Sequence, residues 1–110
     1  MKIFYDEEGD VLEVQFKLGT PDERTGISLT DHITLFCDRA FQQALGLTAL
    51  AYSKLLALPE SPMNELLQAP SSIQEQVRRL LTQGPLKRLV HLNADKIRLE
   101  DVHISELALQ

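Results

Sequence analysis

Apolar and polar residues alternate with period two through much of the first half of the chain, and one stretch of the second half repeats with helical spacing. In residues 11–18, Leu12, Val14, Phe16 and Leu18 fall on one side, and Val11, Glu13, Gln15 and Lys17 on the other. That alternation predicts a strand half-buried in an antiparallel sheet, because successive side chains of a strand point to opposite faces. The β-prone residues 2–5 precede it across the acidic turn Asp6-Glu7-Glu8-Gly9-Asp10. A short hairpin needs a residue at positive φ, and Gly9 is the cheapest choice. Residues 19–26 contain Pro21, Asp22, Glu23 and Arg24 and read as a polar loop. Ile27 and Leu29 then share a face. Ile33, Leu35 and Cys37 share another, with Thr34 and Phe36 opposite, so that second side is not fully polar. After a turn over residues 38–43, a mostly apolar strand is expected over 44–54, either central in the sheet or covered on both sides. Gly46 within it marks a bulge or a close backbone approach. The alternative is a helix over residues 40–58, favoured by Ala and Leu and opposed by Gly46 and Thr48.

Beyond Leu58 the pattern changes. Pro59, Pro62 and Pro70 punctuate a short stretch. Ser61 before Pro62 predicts a helix start, since a hydroxyl acceptor precedes a residue whose φ is already set. The clearest helix begins at Ser72. Ser72 and Glu75 have capping-box spacing, and Ile73, Val77, Leu80 and Leu81 form one apolar stripe. Gly84-Pro85 closes that helix. Residues 86–92 fit either a strand or a helical turn, and Asn93-Ala94-Asp95-Lys96 reads as a turn. Ile97 and Leu99 alternate with charges, then the phase shifts to Val102 and Ile104, as a bulge near Glu100-Asp101 would produce. The region reads as a second β-hairpin.

The opening segment carries a resemblance. Met1, Lys2, Tyr5, Asp6, Glu8, Asp10 and Leu12 stand where a family of small prokaryotic proteins, domain of unknown function 2283, commonly has the same residues. Glu7 stands where that family commonly has proline, and residues 39–44 lengthen its usual second turn. Residues 32–38 and Leu45-Gly46-Leu47 fit the family outline that follows. The resemblance covers about residues 1–56. It implies a small antiparallel sheet and supplies no catalytic residues to carry over. Because some relatives lie beside toxin-like genes, it also implies an antitoxin-like or partner-binding role.

Composition narrows the picture further. The chain has 110 residues, 44% of them hydrophobic and 25% charged, with a net charge of -5. This is the balance of one folded domain, not of a disordered chain or a generally basic nucleic-acid binder. The single cysteine, Cys37, excludes an intrachain disulfide and a multi-cysteine metal site. With no apolar leader and no apolar span of membrane length, a cytoplasmic address is expected.

Candidate chemistry is sparse. The acids Asp6, Glu7, Glu8 and Asp10 lack the ligand spacing of a calcium loop and read as a solvated turn. The three histidines, His32, His91 and His103, show no zinc-ligand spacing, although Asp101 and His103 would share a strand face and orient an imidazole. Cys37 ends an apolar strand face and reads as a core residue, not an activated thiolate. No nucleophile elbow or phosphate-binding loop is present. One charge asymmetry stands out: residues 76–94 contain Arg78, Arg79, Lys87 and Arg88 and no acid. These four form a candidate anion-binding patch for nucleic acid or an acidic surface, with no aromatic residue to stack on bases. The ordinary reading, a solvated helix face, is favoured.

The expected fold is therefore α+β, in a single domain over residues 1–110. A small antiparallel sheet of four or five strands fills residues 1–56. A helical segment over about 61–83 covers it, and a C-terminal hairpin is added. The expected function is a non-catalytic protein-interaction module without a cofactor, whose partner is another protein or a second copy of itself. Nucleic-acid or anion binding through the basic stretch is the alternative, and a small enzyme using Asp101/His103 or Cys37 ranks last.

Overall fold

The computed structural model describes residues 2–16 and 24–100 of the chain. Five strands make one antiparallel sheet: β1 (Lys2–Asp6), β2 (Val11–Gln15), β3 (Arg24–Ser28), β4 (Ile33–Asp38) and β5 (Ala44–Leu50), in the order β1-β2-β5-β4-β3. The expected strands are thus present, with β3 starting inside the stretch expected to be loop. The strand expected to run over 44–54 stops at Leu50, where the chain enters a short helix, α1 (Tyr52–Ala57).

A second, three-stranded sheet has the order β6-β8-β7, from β6 (Ser61–Pro62), β7 (Val90–Asn93) and β8 (Lys96–Leu99). The β7–β8 hairpin turns at Ala94-Asp95, as expected. Ser61-Pro62 does not start a helix. It pairs with Ile97 and Lys96 instead, so a tertiary ladder overrides the local start signal. Between β6 and β7 run a 3-10 turn (Leu66–Gln68), helix α2 (Ser71–Thr82) and a second 3-10 turn (Gly84–Arg88). The ambiguous stretch 86–92 is therefore both a helical turn and the start of a strand. Asp101, Val102, His103 and Ile104 lie outside the described residues, and with them the expected bulge near Glu100-Asp101.

The core joins both sheets. Leu12, Val14, Ile33, Leu35 and Cys37 point into it from the large sheet, and Ile97 and Leu99 from the small one. The α2 stripe supplies Val77, Leu80 and Leu81, with Ile73 half-buried beside them. The closest neighbours of α2 are β7 and the two 3-10 turns, not the strands of the large sheet, so the expected cover by this helix is indirect, and the second 3-10 turn is what meets β5. Helix α1 packs next to β8, which closes that layer.

Three local features refine the sequence reading. The residue at positive φ in the first hairpin is Asp10 (φ 55°). Gly9 does not take that role, and an aspartate tolerates it because its short polar side chain bonds locally. A bulge does occur in β5: Phe36 pairs with Gly46 and Cys37 with Ala44, which leaves Leu45 as the extra residue. Its carbonyl accepts from the Phe16 amide at 2.9 Å, and Ala44 regains the buried face. Finally, Ser72 and Glu75 form no capping box. The helix begins one residue earlier, with Pro70 in the cap position and no side-chain cap bond. The Gln74 side chain instead donates to the Ala69 carbonyl at 2.8 Å.

Candidate functional site

The five-stranded sheet has two faces, and the described elements cover only one. The outer face follows from the register. One row across the strands reads Asp6, Val11, Leu50. The next reads Phe4, Glu13, Thr48, Thr34, Ser28, and the third Lys2, Gln15, Gly46, Phe36, Gly26. Phe4 is 47% exposed and Leu50 45%, both high for large apolar side chains. Phe36 is half-buried because Arg24 lies over its ring, 4.6 Å from the centroid, and Gly26 leaves room beside it. Strands β1 and β3 are the sheet's two edges, with Lys2 and Arg24 on them. The sequence signal for this face was the presence of Val11 and Phe36 on sides of their strands that should be polar. What the pattern did not reveal is that no described element packs there.

At one end of the sheet lies a junction built by Asp10. The backbone carbonyl of Asp10 accepts from the Tyr52 amide at 2.9 Å. Its carboxylate accepts from the Ser53 amide at 3.0 Å, from the Ser53 hydroxyl at 2.6 Å and from the Tyr5 hydroxyl at 2.6 Å. These bonds satisfy the first amides of α1, whose own cap residue, Ala51, offers no side-chain acceptor. The hydrogen bonds from Ser53 and Tyr5 hold the Asp10 carboxyl below its ordinary range. The bond to Asp10 is also the main cause that pushes the Tyr5 phenol up to about 12. Tyr5 and Tyr52 meet edge to face at 5.8 Å, and the Tyr52 hydroxyl donates to the Glu100 carbonyl at 3.0 Å. The acidic turn is therefore partly structural: Asp10 ties β2 to α1, while Glu7 and Glu8 are exposed.

A cleft of about 430 Å³ opens between the bend at Thr30, α1 and the segment around Pro62. Its lining mixes Asp31 and Glu65 with His32 and Lys54 beside Leu55 and Leu58, so it presents no single charge to a ligand. Among the described residues, no group of three or more His, Cys, Asp or Glu side chains could hold a metal ion. Cys37 is fully buried, and burial pushes its thiol up to about 11, which keeps it protonated at neutral pH.

The basic stretch is divided. Arg78 donates to the Ala94 carbonyl at 2.6 Å and to Asp95 at 2.5 Å, clamping the β7–β8 turn to α2. Arg79, Lys87 and Arg88 are exposed and have no ion-pair partner among the described residues. His91 lies 2.5 Å from Glu100, which also meets Arg98 at 3.4 Å, and His32 lines the cleft. His103 and Asp101 lie outside the described residues. No described helix is long and apolar enough to cross a membrane. No protein-family profile, curated protein or solved structure matches this chain.

Proposed function

We propose that the chain is a non-catalytic protein-interaction module whose binding surface is the outer face of the five-stranded sheet. The observation that carries this reading is the exposure of Phe4 and Leu50 on a sheet face that none of the described elements covers. An exposed apolar patch with a polar rim is the usual mark of an interaction site. The resemblance of residues 1–56 to domain of unknown function 2283 points the same way, toward an antitoxin-like role. A cytoplasmic address belongs to this reading, in keeping with a lone cysteine held as a buried thiol. The test is Phe4→Ser with Leu50→Ser, both at exposed positions, checked for folding by circular dichroism. Loss of a partner that co-purifies stoichiometrically with the parent supports the reading. A partner held equally well by the double variant refutes it.

A second reading, anion or nucleic-acid binding, rests on Arg79, Lys87 and Arg88, which are free of ion pairs among the described residues. Arg78 is already committed to Asp95 and contributes less. Its check is binding to a DNA or RNA duplex as salt is raised. Reversing Arg79, Lys87 and Arg88 to Glu abolishes salt-sensitive binding if those residues are the site.

A further inference from the structure

Resting on the interaction-module reading, we infer that the outer sheet face takes a basic amphipathic segment of its partner, one that alternates lysine or arginine with apolar side chains. At the β1–β2 corner, acids and apolar residues are interleaved. Asp6 neighbours Val11 in one row, with Leu50 beyond it, and Phe4 neighbours Glu13 in the next. Both carboxylates are exposed, and neither has an ion-pair partner among the described residues. The hairpin tip adds Glu7 and Glu8 just beyond this corner. Residues 1–57 as a whole hold nine acids and five bases, and the chain carries a net charge of -5. A partner that seats apolar groups against Phe4 and Leu50 must bring donors to Glu13 and Asp6, and a cation among them also answers the acidic charge of the corner, which a neutral donor does not.

The same feature argues against a second copy as occupant. Stacking two such corners face to face would bring like carboxylates together in the centre of the contact, which is destabilising. A charge placed beside exposed apolar residues of a sheet face is also how sheets avoid self-association. The footprint fits a modest partner. Strands roughly 4.8 Å apart and residues roughly 3.4 Å apart give a face of a few hundred Å², below a standard interface and suited to a short segment held weakly and transiently.

The test uses two synthetic peptides of about ten residues, one alternating lysine with leucine, the other glutamate with leucine. Binding is followed by backbone amide NMR shifts. The lysine peptide is expected to move the resonances of Phe4, Val11, Glu13, Thr48 and Leu50, and to weaken about tenfold as salt rises from about 0.05 to 0.5 M. Glu13→Lys, on an exposed strand position, is expected to weaken it at least about tenfold while the fold is unchanged. Equal binding of the glutamate peptide, shifts confined to the cleft or α2, or indifference to Glu13→Lys would overturn the basic-partner assignment. Should the glutamate peptide or a second copy move these face resonances instead, the interaction module stands and only the assigned partner chemistry falls. If no peptide and no second copy moves them at any concentration, both readings fall.

Discussion

Single residues decide several features of this molecule by geometry alone. A Cβ added at Gly46 would sit 2.5 Å from the Val14 carbonyl oxygen, a backbone atom of the adjacent strand that cannot turn aside. Gly46→Ala is expected to cost about 1–3 kcal/mol, read as a lower urea midpoint with an unchanged slope. The close approach was legible from a glycine inside an apolar strand; the bulge beside it was legible only as an alternative. Asp10 is the opposite case. It looked like one of four solvated acids, and nothing local distinguishes it, because its partners Tyr5 and Ser53 come from different elements. Its carboxyl is held below the ordinary value, so its contribution is complete above about pH 4 and is lost as pH falls through the lowered folded value. Asp10→Asn, which keeps the tolerance for positive φ, is expected to be less stable than the parent at neutral pH, with the gap closing in acid. Acid unfolding followed by circular dichroism checks this. Tyr5 behaves in the reverse sense. With its phenol raised to about 12, the fold gains from it fully below about pH 10 and loses that gain as pH rises toward 12. In Asp10→Asn the tyrosinate absorbance of Tyr5 should appear closer to pH 10.

The elements were legible in proportion to how much of their stability is local. Helix α2 has twelve residues and a full apolar stripe, so periodicity found it even though its capping box does not form. Helix α1 has six residues and borrows its cap from Asp10, more than forty positions earlier, so the same segment read more naturally as the end of a strand. Ser61-Pro62 misled for a related reason: its pairing with Ile97 and Lys96 is invisible to any local rule. Two element ends carry strain that can be removed. Ala51, before α1, and Ala94, in the β7–β8 turn, both have positive φ, at 53° and 54°. Ala51→Gly and Ala94→Gly are each expected to stabilise the protein by about 1 kcal/mol, because glycine has no Cβ to clash there. Thermal melts of the single and double variants check both values, which should add, since the two sites share no partner. A fall in melting temperature for either one would show that its side chain contributes more than its backbone costs.

At the level of the whole molecule, two sheets drain into one core, and the change of pattern beyond Leu58 is not a structural boundary. Leu35 from the large sheet and Ile97 from the small one are both buried among the same residues. Leu35→Ala and Ile97→Ala are each expected to cost about 2–5 kcal/mol and to shift a single cooperative transition. Two separable transitions by calorimetry would show that the sheets fold independently. The surface was less readable than the core. Alternation in β2 and β4 revealed which residues point inward, but whether the other side meets solvent or a further layer depends on where later elements pack. Those of the described residues gather on the inner side. The chain has no tryptophan and only two tyrosines, and both sit at the Asp10 junction, where the first hairpin, α1 and the strand leading to Glu100 converge. Intrinsic fluorescence of the unlabelled protein therefore reports on one joint alone, and any event that loosens it announces itself optically without a dye.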